Sequence, residues 1–442
     1  MPDLNPQIIA ALLPATCRRV FVAYSGGLDS TVLLDLCAGL PSLTGKVVAV
    51  YVDHGLQAAS AAWGEHCRRQ AERLGVGFQL LQVDAQAGGG ESPEAAAREA
   101  RYRALRKLLA VDDVILLAQH REDQMETLLL QLFRGAGVSG LAGMPIVSVF
   151  GKGQMLRPLL DVGKVDIQRY AQVHGLQWVE DPSNQSSDFD RNYLRNDILP
   201  LLKQRWPALD KTVARSARHC GDAARMIEAW AEQALPTVFD PTDGSFNIAD
   251  LSAFTAMQLN CLLRQWLGHI GLKPPSQAVL QTLVEQLVGG RGDTAAQVYI
   301  QGSFIRKYRE KLYCIPVHRL QKDTQAKRWM QEQEQMPLSN GYVLSRSTAS
   351  AGLSKNLWNS AKVTVEPRRG GEKLKLPGRT GHHCLKKLYQ EAGVPPWERD
   401  IRPLIYLDGR LAAVAGLWVA EWAWLSAADG CYQLNWRAPE SV

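Results

Sequence analysis

Val20-Phe21-Val22-Ala23-Tyr24-Ser25-Gly26-Gly27-Leu28-Asp29-Ser30 decides the fold. Val20–Tyr24 is a short apolar run, two glycines follow at once, and a helical run extends from Thr31 to Leu40. A buried strand thus passes through a glycine turn into a helix. The glycines let the backbone bend tightly and turn its amides toward a ligand. The helix behind them offers free amides and a positive dipole end, and Ser25 and Ser30 add hydroxyls. Such a loop is an anion cradle. An aspartate inside it is repelled by phosphate unless a cation stands between them, so Asp29 is expected to serve Mg²⁺. The stretch is neither the GxxxxGK[ST] loop nor the GxGxxG of dinucleotide folds.

Outward from this loop, strand and helix patterns alternate. Val47–Val52, Phe78–Val83 and Val114–Ala118 read as further strands. Pro93 to Leu109 reads as a helix, with Pro93 near its start. Asp123 to Arg134 reads as another, with an apolar face at Met125, Leu128, Leu129 and Leu132. Alternation of this kind predicts a parallel sheet covered on both faces, with ligands at the carboxyl ends of its strands.

From about Asn192 to Leu287 the pattern turns mainly helical. Gln331 to Gln335 reads as a linker or exposed helix. Beyond about Gly341 the composition changes again. Between Val365 and Arg410 stand ten Lys/Arg against six Asp/Glu, and Leu404–Leu407, Asp408-Gly409 and Arg410–Val414 predict a hairpin. The aromatics Trp418, Trp422 and Trp424 read as core, and His382, His383 and Cys384 lack a second pair for zinc. Three domains are therefore expected: 1–215 α/β, 216–325 mainly helical, and 341–442 small, mixed α+β and basic.

A chain of 442 residues is too long for one core. Hydrophobic residues at 46% and charged ones at 21% are ordinary globular values. The net charge of +6 permits a polyanionic partner without requiring one. The eight cysteines are scattered, with no CxxC pair, as in reduced cytosolic proteins. The N-terminus lacks the pattern of a signal peptide and no stretch is long enough to span a bilayer, so a cytoplasmic location without membrane attachment is expected. The oligomeric state is left open, with a homodimer among the options.

The Ser25–Ser30 loop resembles the PP-loop of ATP pyrophosphatases, which transfer AMP from ATP. Further blocks follow in order: Tyr51-Val52-Asp53-His54-Gly55-Leu56, Ala97-Arg98-Glu99-Ala100-Arg101-Tyr102, Ala118-Gln119-His120-Arg121-Glu122-Asp123-Gln124-Met125-Glu126-Thr127, the glycine-rich 134–144, Arg157-Pro158-Leu159, Glu180-Asp181-Pro182-Ser183-Asn184 and Arg191-Asn192-Tyr193-Leu194-Arg195. In this order they resemble the signature of the tRNA(Ile)-lysidine synthetase family. One departure is Gln119, where that family commonly has a first histidine before His120.

The resemblance implies an ATP- and Mg²⁺-dependent ligation of L-lysine to carbon 2 of the wobble cytidine of tRNA(Ile) with a CAU anticodon. Ser25, Gly26, Gly27, Leu28, Asp29 and Ser30 are expected to hold ATP, with Asp53 and His54 at the adenosine. Arg98, or its neighbour Arg101, is expected to neutralise the α-phosphate. Asp123 and Glu126, three apart on one helix face, are expected to take the lysine ammonium, and His120 to bind phosphate or shuttle a proton. The basic C-terminal domain is expected to meet tRNA phosphates. The alternatives are a thiolating tRNA enzyme, which needs paired cysteines or a cluster, and a small-molecule amidating synthetase.

Overall fold

The computed structural model describes residues 4–53, 55, 60–84, 93–249, 251–289, 296–322 and 325–437. The chain divides into two compact units, Met1–Ile227 and Glu228–Val442.

The first unit is built on a six-stranded sheet. Its strands are β1 (Arg19–Ala23), β2 (Val47–Asp53), β3 (Gly77–Gln82), β4 (Asp113–Leu116), β5 (Val147–Phe150) and β6 (Gly153–Leu156). Their order is β3-β2-β1-β4-β6-β5. All neighbours are parallel except the β5–β6 hairpin at one edge. The longer helices packed on the sheet are α1 (Leu28–Ala38), α2 (Ser60–Arg73), α3 (Pro93–Leu108), α4 (Arg121–Phe133) and α5 (Lys164–Val173).

The period of two along β1 separates two cores. Val20 and Val22 pack with Val32, Leu33 and Leu36 of α1 and Ile167 of α5 on one face. Phe21 packs with Leu105 of α3, Ile115 and Met155 on the other. Both faces are covered, which is why residues 20–23 of β1 and 114–116 of β4 are apolar without alternation. β2 and β4 flank β1 on opposite sides, and the chain crosses the sheet in opposite directions from there. A crevice therefore opens beyond the carboxyl ends of β1 and β4, directly over the glycine loop.

The helix expected over 123–134 is α4, but its apolar stripe is only partly used. Met125 is buried, whereas Leu132 and Phe133 face solvent.

In the second unit, α6 (Leu209–Ala234), which begins in the first, is followed by α7 (Ala256–His269) and α8 (Gln277–Leu283), the helices expected there. The same region also holds an antiparallel sheet of β7 (Phe239–Asp240), β8 (Ser245–Asn247), β9 (Gln297–Ile300), β10 (Ser303–Tyr308) and β11 (Lys311–Pro316), ordered β7-β8-β11-β10-β9. Phe246, Leu263, Trp266, Leu280 and Ile305 join helices and sheet in one core.

The C-terminal part has its own sheets. One runs β12 (Lys327–Arg328), β15 (Val363–Glu366), β18 (Leu404–Leu407), β19 (Arg410–Val414), β20 (Trp418–Val419). Another joins β13 (Gln335–Pro337), β14 (Val343–Ser354) and β21 (Trp424–Arg437). The hairpin expected at Asp408-Gly409 is β18–β19, and both turn residues have positive φ, 47° and 80°, as a two-residue turn of this hand requires.

Two expectations are corrected. The stretch 331–335 is neither linker nor helix: Trp329 and Met336 on either side of it are core residues, and the Gln331 amide donates to the carbonyls of Trp358, Asn359 and Ala361. Only Gln331 turns its side chain to backbone; residues 332–335 are exposed but run through a turn into β13, held between two core side chains, which composition does not reveal. Trp424 is not core but 41% exposed, because the edge of a sheet leaves one face of the strand uncovered.

Candidate functional site

The glycine loop is locked from behind. Gly26 has φ +79°, and a β-carbon there would stand 2.9 Å from Cys67 Sγ, so only glycine fits. The Val179 amide donates to the Gly26 carbonyl at 2.9 Å. The Ser30 and Thr31 hydroxyls both donate to the Gly27 carbonyl at 3.0 Å, and Ser25 and Ser30 oxygens lie 3.1 Å apart. The loop is thereby pre-shaped, with Gly27 ahead of the first turn of α1.

A cleft of about 600 Å³ opens over the loop. Ser25, Gly27, Leu28, Asp29 and Ser30 line it from α1 and the loop before it, and Gln119 and Asp123 from the end of β4 and the start of α4. Gly26 is buried behind the loop and does not line it.

Asp29, His120, Glu122 and Asp123 form one charged cluster. His120 is almost wholly buried. Its Nε2 lies 3.7 Å from Asp29 Oδ2 and 3.5 Å from Asp123 Oδ2, and its Nδ1 lies 3.2 Å from Glu122 Oε2. Burial opposes charge on the ring, but Glu122, Asp123 and Asp29 more than offset it and raise its pKa above the ordinary histidine value. Burial likewise works against Glu122, yet His120, Lys203 and the Lys164 amide bring its pKa down to about 2. For Asp29 burial wins: its carboxyl is pushed up, with His120 and Lys164 pulling against the shift. Asp29 Oδ1 is buried and has no hydrogen-bond partner among the described residues.

Asp123 and Glu126 share a helix face but differ in access. Asp123 lines the cleft, accepting from the His120 amide at 2.9 Å and from Arg195 Nη2 at 2.8 Å. Glu126 is fully buried outside the cleft lining, and Arg191 and Arg195 occupy both of its oxygens. Of the two arginines considered for the phosphate, Arg101 lines the cleft. Arg98 is exposed and lies over the Tyr102 ring, 4.9 Å from its centroid. Asp53 turns into its own loop, accepting from the Gly55 amide at 2.9 Å, and Tyr51 and Val52 line the cleft in its place. His54 lies outside the described residues.

Several lining residues have no role that the sequence alone suggests: Lys164 at the start of α5, Trp178, Glu180, Asp181 and Arg195. Glu180, Asp181 and Arg195 stand within the motif blocks, a usable signal. Lys164 and Trp178 stand in none.

The glycine-rich connection 135–143 is tied down by buried Gln124, which donates to the Met144 carbonyl at 2.9 Å and accepts from the Met144 amide at 2.7 Å. Gly143, at φ +66°, leaves that amide its room.

Known proteins match more than nine-tenths of this chain. A family model described as a PP-loop domain matches residues 2–202, a TilS substrate binding domain matches 246–313, and a TilS substrate C-terminal domain matches 363–436. A tRNA(Ile)-lysidine synthase of Methylococcus capsulatus is 41% identical over 415 residues, 93% of this chain and 94% of that protein. The chain belongs to the tRNA(Ile)-lysidine synthase family. Two further tRNA(Ile)-lysidine synthases agree: that of Pectobacterium atrosepticum is 38% identical over 92% of this chain and 91% of its own, and that of Legionella pneumophila (strain Paris) is 34% identical over 95% of each. The PP-loop match of this lysidine-synthase-family chain contains the cleft, and the two substrate-domain matches lie in the second unit.

Proposed function

We propose that this chain joins L-lysine to carbon 2 of the wobble cytidine of tRNA(Ile), a carbon–nitrogen ligation driven by ATP. The observation that carries the reading is one cleft, in a chain of this family, that brings a PP-loop together with a carboxylate cluster and a held imidazole. The PP-loop domain binds ATP, and lysidine in tRNA(Ile) is the product.

Two steps balance the chemistry. The carbonyl oxygen on carbon 2 of cytidine attacks the α-phosphorus, and pyrophosphate leaves. The lysine ε-amine then attacks carbon 2, AMP leaves, and the amine proton passes to a carboxylate. The loop amides and the exposed Ser25 hydroxyl cradle the leaving pyrophosphate, while the Ser30 hydroxyl, donating to the Gly27 carbonyl, holds the loop in shape. Arg101 and Lys164, both lining the cleft, are the cations at hand for the phosphates; Arg98 reaches them only by leaving the Tyr102 ring. Asp123 is the carboxylate placed to hold the lysine ammonium and receive its proton. Glu126 reaches that ammonium only if Arg191 or Arg195 gives way.

Mg²⁺ fits the donor set. Among the described residues no group of three or more His, Cys, Asp or Glu could hold a metal ion, so a full protein cage is not on offer. A single buried carboxylate oxygen, Asp29 Oδ1, is, and Mg²⁺ characteristically takes one or two carboxylates plus substrate phosphates. When bound, it would neutralise phosphate charge.

Three domains are proposed, 1–215, 216–325 and 341–442, the last reaching back to Lys327 because β12 and β13 pair into its sheets. The cytoplasm is the proposed location; among the described residues no helix is long and apolar enough to cross a membrane. The test is a pair of incubations with ATP, one with tRNA(Ile) and no lysine, the other with lysine and no tRNA: AMP becoming attached to the tRNA in the first supports the reading, and adenylation of lysine in the second opposes it.

A further inference from the structure

Arg157 is a buried cation that makes no ion pair among the described residues. It follows β6 and is 8% exposed. Its Nε donates to Gln119 Oε1, its Nη1 donates to the Pro145 carbonyl at 2.8 Å, and its Nη2 lies 3.1 Å from Met155 Sδ. The Tyr102 phenol stands beside it. A guanidinium taken out of water without a carboxylate is costly unless something anionic completes it.

Gln119 carries the influence of this cation into the cleft. Arginine only donates, so the amide orientation is fixed: Oε1 faces Arg157 and Nε2 faces away. Gln119 lines the cleft, and its Nε2 makes no hydrogen bond to a described residue. The buried charge behind Oε1 polarises the amide and makes Nε2 a better donor. Gln119 stands directly before His120, on the opposite side of that residue from Asp123 in the chain, so its donor is added to the cluster without adding a titrating group.

We propose that Gln119 donates to an anionic phosphate oxygen of the nucleotide in the PP-loop cleft, and that Arg157 is the positioning residue that aims and polarises this amide. The inference rests on the reading of the cleft as the ATP site. The oxygen belongs either to ATP or to the tRNA backbone, and the two sources separate by which ligand binds more weakly in the variants.

The test uses the full chain with Gln119→Met, Gln119→Glu and Gln119→His. Methionine keeps the volume and loses the donor, glutamate keeps an acceptor for Arg157 and opposes the anion, and histidine restores an N–H. ATP and tRNA(Ile) affinities are measured by equilibrium titration, alongside KM and kcat for pyrophosphate release, with thermal melting to check folding. The expected result is a rise in KM and Kd for one of the two ligands of roughly tenfold for methionine, more for glutamate, and substantial recovery with histidine. A rise for ATP assigns the oxygen to ATP; a rise for tRNA alone assigns it to the RNA. Arg157→Lys, which keeps the charge but loses the planar fork, should shift the same constant in the same direction by less. Overturning results are affinities unchanged in Gln119→Met and Gln119→Glu, or equal losses in all three variants without rescue by histidine. Should the unaltered chain itself fail to bind ATP, the reading of the cleft falls, and this inference with it.

Discussion

Arg195 holds Glu126 with two parallel bonds, Nε to Oε1 at 2.7 Å and Nη2 to Oε2 at 2.8 Å. Arg195 comes from the helical turn Leu194–Ile198 and Glu126 from α4, 69 residues earlier in the chain. The pair therefore pins the wall of the cleft that follows Glu180 onto the helix that carries Asp123.

Removing the acid takes from Arg191 and Arg195 their one fully buried partner and, among the described residues, leaves Asp123 alone to pair them. Glu126→Ala should cost about 3 kcal/mol of stability in urea unfolding of the first unit, the scale for breaking a buried pair from one side. Double replacement, Glu126→Ala with Arg195→Met, should cost less than the sum of the two single changes. Additive costs would show that the pair is not coupled.

Asp123 is the carboxylate that faces the cleft. Asp123→Asn keeps its shape and removes its charge. Lysine transfer to tRNA should fall at least about a hundredfold, the usual span for losing a proton acceptor, with ATP affinity little changed. An equal loss in ATP affinity would move Asp123 to the nucleotide.

Gly26 allows no side chain. Gly26→Ala places a methyl 2.9 Å from Cys67 Sγ at a φ of +79°, so ATP binding should drop sharply, as measured by calorimetric titration. Gly26→Ala combined with Cys67→Ala relieves the clash but not the backbone strain, so it should recover only part of the loss.

The basic C-terminal stretch is less basic than its composition. Arg368, Arg369, Lys375, Arg379 and Arg402 are engaged by Glu372, Glu366, Glu421, Glu391 and Glu398. Lys373, Lys386 and Lys387 are exposed around the β16 (Lys373–Leu374) and β17 (His383–Cys384) hairpin and the helix Leu385–Glu391 that follows it. Charge reversal at these three should weaken tRNA binding and lower the slope of log affinity against log salt by about 2–3, near one for each phosphate no longer neutralised. Arg402→Ala, by contrast, should act on stability, since that side chain is buried over Trp436.

Asp113 makes stability depend on acid. Burial pushes its carboxyl up, but Arg19, at 2.7 Å, and the Ala110 amide, at 2.9 Å, more than offset this and hold its pKa below the ordinary value. A depressed native pKa means stability that is present above the unfolded value of about 3.9 and lost as pH falls through the native one. Asp113→Asn should therefore cost about 1–3 kcal/mol at pH 7, and the gap to the unaltered chain should close below about pH 4. A gap that stays constant as the solution is acidified through that range would contradict this.

The fold was legible where one short stretch carried it. Apolar β1, the glycine turn and α1 are contiguous, and each local preference agrees with its neighbour's, so the loop and its place at the strand end follow. The cleft was legible only in part, because its walls are assembled from distant segments. Arg98 and Arg101 lie three apart on α3, and which of them meets the cleft depends on how α3 packs on the sheet. Asp123 and Glu126 look equivalent in sequence; both meet Arg195, from more than sixty residues on, but only Asp123 keeps a face on the cleft. Lys164 and Trp178 reach the cleft through α5 and the segment after it, with no local pattern to mark them. The stretch 331–335 misled because an exposed turn between two buried residues, Trp329 and Met336, has the same polar composition as a linker.

The most direct test of the central claim is incorporation of labelled L-lysine into tRNA(Ile) bearing a CAU anticodon, with ATP, and with ATP, tRNA or lysine omitted in turn. The account predicts label in the tRNA only when all three are present, with one pyrophosphate and one AMP released per lysine incorporated. Pyrophosphate release that proceeds without tRNA, or a tRNA that never takes up the label, would contradict it.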